Sequence, residues 1–252
     1  MFNADRVTEV VNSSVIDTLD LSMFSDKDML NTVLQRSEVL FDLERPGVPV
    51  RQWSNGNPEA LKAEVAARGP LLLKRAIAVL YLEYLALKPT IDKIAPRRVA
   101  DIGCGYGFID LFIAKDYKSA ITLIDLEDNG TTHFGFKAEG AAYSSLKTAK
   151  AFLVGNGVPD SEVKTINPSQ DDPNKLCDID LALSLLSCGF HYPASTYAAF
   201  WDQSLAENGS IILDLRMVQA EGQLSDMIQV GAVRALWQGE KWSRVLVQKC
   251  AE

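Results

Sequence analysis

The chain has 252 residues, 47% of them hydrophobic and 23% charged, which fits one large globular domain or a domain with an extension. Its formal net charge is -8 and its pI about 4.9. A surface that acidic repels phosphate backbones, and the basic residues are scattered, so composition argues against a nucleic-acid substrate.

The amino-terminal MFNADRVTEVV has no basic stretch leading into an apolar run, so no signal peptide is expected there. Residues 1–95 read as helical. Ser25 and Asp28 have capping-box spacing, and Met29, Val33, Leu34, Leu40 and Phe41 follow as an apolar face. Pro46, Gly47 and Pro49 are expected to break that helix, leaving Arg51–Pro58 as a polar loop with a turn at Asn55-Gly56. A long helix is predicted from Pro70 to Lys88, just before Pro89. The run Leu71–Leu87 is the most hydrophobic in the chain, but Lys74, Arg75 and Glu83 interrupt it and argue against a membrane span. Its positions Leu73, Ala76, Ile77, Leu80, Tyr84 and Leu87 have the spacing of one buried helical face.

After Pro96 the pattern alternates between strands and helices. Strands are predicted at Arg98–Ile102, Ala120–Leu126, Val163–Ile166, Ile179–Leu186 and Ser210–Leu215. The helices between and after them are expected at Phe108–Ala114, Ala141–Val154 (ending at Asn156-Gly157), Ala194–Ala206 and Val218–Ile228. Val233–Trp237 and Ser243–Gln248 are β-rich runs joined by a short polar turn, which reads as an antiparallel hairpin. The fold class implied is α/β: a doubly wound, mostly parallel sheet with a C-terminal antiparallel hairpin, preceded by an N-terminal helical extension. The boundary falls between an extension, 1–95, and a sheet domain, 96–252. Cys104, Cys177, Cys188 and Cys250 form no C-x-x-C pair, so neither a disulfide framework nor a zinc site is suggested, and a cytoplasmic protein with reduced thiols is expected.

The segment Val99-Ala100-Asp101-Ile102-Gly103-Cys104-Gly105-Tyr106-Gly107 follows a predicted strand and opens a helix. Glycines there let the backbone turn sharply and let a ligand approach the main chain. Asp125 closes the second strand, where a carboxylate can accept both hydroxyls of a ribose. Dinucleotide folds favour G-x-G-x-x-G, whose third glycine falls here on Phe108, which disfavours a nucleotide-dependent oxidoreductase.

An acidic residue followed by G-x-G-x-G resembles motif I of class I S-adenosylmethionine-dependent methyltransferases, and Asp125 resembles the family's ribose-binding acid. The closing hairpin matches the family's terminal antiparallel strand, so the likeness covers residues 96–249. The resemblance implies S-adenosyl-L-methionine as cofactor, held by Asp101, Gly103, Cys104, Gly105, Tyr106, Gly107, Asp125 and Ser184. It implies that Asp101 suits the cofactor's ammonium group, and that Leu126 packs on the adenine. The adenine-contacting loop is Asn167–Asp172, which departs from the family's commoner G-D pattern; Gln170 and Asp171 are its candidates.

Transfer to a hydroxyl wants a base to take its proton. The chain has two histidines, His191 after the fourth strand and His133 after the second, and both are catalytic candidates. His191 is preferred, because the loop after strand four faces the transferring methyl in this family. Ser184-Leu185-Leu186-Ser187 stands where enzymes that methylate amide or base nitrogens carry N-P-P-Y, which favours a small-molecule or sugar-like acceptor methylated at oxygen. No metal is predicted. The N-terminal helices are expected to cover the site, with Arg51 and Trp53 as lid residues, and other apolar helix faces serve core packing or a homodimer. A non-catalytic partner protein of the same fold is the alternative.

Overall fold

The computed structural model describes residues 2–127 and 144–250. Before the sheet come α1 (Ala4–Val11), α2 (Ser14–Asp17), α3 (Asp26–Gln35), a 3-10 turn at Ser37–Leu40, α4 (Gly47–Ser54) and α5 (Glu59–Ile94). The capping box forms as predicted: Ser25 Oγ accepts from the Asp28 N–H at 3.2 Å, and Asp28 Oδ2 accepts from the Ser25 N–H at 2.9 Å.

Two expectations for this region are corrected. Arg51 and Trp53 lie in α4, not in a loop; the turn begins only at Asn55 and Gly56. The long helix runs through Pro89 to Ile94. Pro89 removes one backbone hydrogen bond, but Leu87 and Ile91 on either side are buried, and each burial contributes about 1.5–3 kcal/mol. The break falls instead at Arg68 (φ -152, ψ 27), ahead of Gly69 and Pro70, so Pro70 does open a helical segment. Among the described residues, no helix is long and apolar enough to cross a membrane.

The sheet strands are β1 (Arg98–Ile102), β2 (Ala120–Ile124), β3 (Val163–Ile166), β4 (Ile179–Ser184), β6 (Leu205–Arg216), β7 (Gly231–Gln238) and β8 (Trp242–Lys249). Among the described residues these seven form one sheet in the order β3-β2-β1-β4-β6-β8-β7. Pairing is parallel from β3 through β6, and β8 runs antiparallel to both β6 and β7. The extended segment β5 (Ser187–Tyr192) is not one of the seven.

Strand alternation divides two cores. Val99, Leu123, Leu181, Leu183 and Ile212 face α6 (Phe108–Tyr117), α7 (Leu146–Gly155) and the N-terminal helices. Ala100, Ile102, Ala182, Ile211 and Leu213 face Phe200 and Trp201 of α8 (Ala198–Gln203) and Met227 of α9 (Ala220–Val230). Helices on both faces explain why β1 and β4 read as nearly continuous apolar runs. The helix predicted over Ala194–Ala206 is a 3-10 turn, Ala194–Tyr197, followed by α8, because β6 already begins at Leu205.

Candidate functional site

Most of the predicted residues lie at or just after the carboxyl ends of β1, β2 and β4. After β1 the backbone turns through Gly103 (φ 76), Gly105 (φ 58) and Gly107 (φ 68), all left-handed. The Gly103 N–H donates to Ile124 O at 2.7 Å. A Cβ on Gly103 would lie 2.0 Å from Ser187 Oγ, so this position has room only for hydrogen. A Cβ on Gly105 would lie 3.1 Å from Gln35 Oε1, which places the end of α3 over the middle of the turn.

Asp125 fastens this turn to β2. Its Oδ2 accepts from the Gly105 N–H at 2.8 Å and its Oδ1 from the Glu127 N–H at 3.2 Å. Burial raises its pKa above the usual carboxylate value, and the bonds from Gly105 and Glu127 work against that rise. Leu126 beside it is 51% exposed. Glu127, in a left-handed conformation (φ 62), turns back to accept from the Leu146 N–H at the start of α7 (2.8 Å) and from Asn167 Nδ2 (3.2 Å). Asn167 Nδ2 also donates to Leu126 O at 3.2 Å, so the loops after β2 and β3 are tied side chain to backbone. Gln170 and Asp171 sit exposed on the turn that follows, both backbone N–H groups on Asn167 O at 2.9 Å.

Under the turn, Asp101 (4% exposed) and Asp110 of α6 (0% exposed) meet carboxyl to carboxyl. Among the described residues, Asp101 Oδ1 and both oxygens of Asp110 lack a hydrogen-bond donor. Burial raises both: Asp101 well above the usual range, with Asp110 adding to the rise, and Asp110 up to about 6. Burial and the neighbouring acids likewise hold Cys104 as a neutral thiol.

No family model matches the sequence, and no curated protein matches it either. Solved structures do match the fold. A Nostoc punctiforme protein, provisionally assigned as an O-methyltransferase, has a TM-score of 0.50 and 15% identity, covering 72% of this chain and 61% of its own. The chain has the class I methyltransferase fold. A SAM-dependent O-methyltransferase from Thermotoga maritima is also similar, with a TM-score of 0.47, 12% identity and coverage of 68% and 64%. So is a 16S rRNA methyltransferase from T. thermophilus, solved with AdoMet and guanosine, at 0.46 and 15% with coverage of 69% and 42%. The chain thus spans less than two thirds of the length of each of these three proteins.

Within the methyltransferase fold, Asp101, Gly103, Cys104, Gly105 and Asp125 come together. Two other predicted contacts are turned away. Tyr106 is buried against α3: its hydroxyl donates to Asp28 Oδ1 at 3.0 Å and accepts from Asn31 Nδ2 at 3.4 Å. Ser184 is 0% exposed, its hydroxyl donating to Ile102 O at 2.7 Å and accepting from the Cys188 N–H at 2.8 Å, so its side chain joins β1 to β5. His191 lies in β5 rather than in a loop; burial and the charge of Arg216 lower its pKa from 6.5. His133 lies outside the described residues. Among the extension's residues, Gln35 lies over Gly105, while Asp28 and Asn31 hold Tyr106; Arg51 and Trp53 belong to α4. Sequence reasoning gave no role to Ser187, and named Asn167 only as the start of the adenine loop and Tyr192 only as an acceptor-pocket candidate. Ser187 Oγ and Tyr192 Oη are 3.2 Å apart. Gln223 of α9 holds β5 from behind, donating to Gly189 O at 2.8 Å and accepting from the Ala194 N–H at 2.9 Å.

Proposed function

We propose that this chain is an S-adenosylmethionine-dependent methyltransferase acting on a hydroxyl of a small or sugar-like molecule. The observation that carries this reading is the Asp125 carboxylate, fixed across the glycine turn by the Gly105 N–H at 2.8 Å. That bond sets its orientation, so a ribose brought to the ends of β1 and β2 meets an acceptor already in place.

The residues present fit the cofactor. Asp101 is a buried acid without a cationic partner among the described residues, which suits an amino group arriving at the turn. Leu126 offers apolar surface beside Asp125 for an aromatic base, and Gln170 and Asp171 offer exposed polar groups nearby. When bound, the cofactor supplies an electrophilic methyl group on a sulfonium. His191, with its lowered pKa, is neutral near pH 7 and can take a proton from an acceptor hydroxyl. The net charge of -8 favours a small acceptor over a polyanion.

Calorimetric titration with S-adenosylhomocysteine tests this. Wild type is expected to bind in roughly the micromolar range, Asp125→Ala to lose at least about tenfold, and His191→Gln to bind as wild type. With an acceptor in hand, His191→Gln is expected to lose turnover. Folded wild type that fails to bind would sink the reading.

A further inference from the structure

The glycine turn is flanked by two walls, and a chain of buried and half-buried charges connects them. One wall is the end of α3, where exposed Gln35 holds its carboxamide over Gly105. The other is Ser187, packed on Gly103. Arg36, next to Gln35, donates to Glu83 of α5 at 3.2 Å. The other oxygen of Glu83 accepts from Arg244 of β8 at 3.2 Å. Arg244 forks onto Asp214 of β6 at 2.6 and 2.8 Å. Asp214 then accepts from the N–H of Leu186, the residue before Ser187, at 3.1 Å. Burying such charges costs more in desolvation than an apolar replacement would, but it fixes positions closely.

Resting on the cofactor reading above, we propose that Gln35 is a ligand-binding residue. Its amide Nε2–H donates to the carboxylate of the cofactor's amino-acid end, while Asp101 answers the ammonium. The Arg36–Glu83–Arg244–Asp214 chain is the positioning device that holds Gln35 and Ser187 on either side. A neutral amide suits this place. A lysine would be drawn to Asp101 and Asp125, and a carboxylate would repel the ligand.

The test is calorimetry on the full chain with two probes: S-adenosylhomocysteine, which carries the amino-acid end, and 5′-methylthioadenosine, which lacks it. Gln35→Leu is expected to weaken S-adenosylhomocysteine by about tenfold or more, as for loss of one hydrogen bond to a charged group, and to leave methylthioadenosine within about twofold. Its melting temperature is expected to stay within a few degrees of wild type, as for most substitutions of an exposed side chain. Unchanged binding of both probes would overturn the proposal, and so would equal weakening of both, which marks a general effect on the turn. If wild type binds neither probe, the cofactor reading itself fails and takes this one with it.

Discussion

At the scale of single residues, the Asp101–Asp110 pair has a consequence that pH can expose. Burial raises Asp110 from 3.8 to about 6, so between those values the folded chain binds more protons than the unfolded one. Stability therefore falls as pH climbs through that window and stays at the lower level above it. Asn is neutral throughout. Asp110→Asn is expected to melt above wild type near pH 8, with the gap closing toward about pH 4; equal melting at both ends would show that the pair carries no such cost. Residues differ in how far a sequence reveals them. Gly103, Gly105 and Asp125 were legible because a left-handed turn and a strand-end acid leave local marks. Gln35 and Asn167 left none: each acts through a partner distant in the chain, Gln35 over Gly105 and Asn167 on Glu127.

At the scale of elements, α3 is joined to the glycine turn by one carboxylate with two tasks. Asp28 Oδ2 caps the helix, and Asp28 Oδ1 accepts from Tyr106. Ser25→Ala removes only the cap and should cost about 1 kcal/mol. Asp28→Ala also strips the buried Tyr106 hydroxyl of its acceptor, adding about 1–3 kcal/mol. Urea unfolding of the two variants checks this, and equal losses would mean that α3 and the turn are not coupled through Asp28. The capping box was legible because both partners lie within one helical turn. The end of the helix at Arg36 was not, since that residue leaves helical geometry (φ -131, ψ 61) while its side chain reaches Glu83.

At the scale of the whole molecule, the N-terminal helices and the sheet share one core. Leu72, Leu73 and Ile77 of α5 pack in the same cluster as Val99, Leu123 and Leu183. Residues 2–95 are therefore expected to be needed for folding: the full chain should unfold in one cooperative transition, and the segment 96–250 should show none by near-UV circular dichroism. A cooperative transition in that segment would make the boundary at 95 a boundary between folding units. The sequence by itself determined the chain order of the seven sheet strands, the hairpin, the glycine turn and its acid. Each of these follows from periodicity, backbone freedom or capping, which act over a few residues. Only the tertiary structure decided which part of the extension reaches the turn, that Tyr106 and Ser184 point into the fold, and that a chain of paired charges links α3 to β5. Those outcomes depend on which faces meet across the sheet, and desolvation and hydrogen-bond geometry between distant segments decide that.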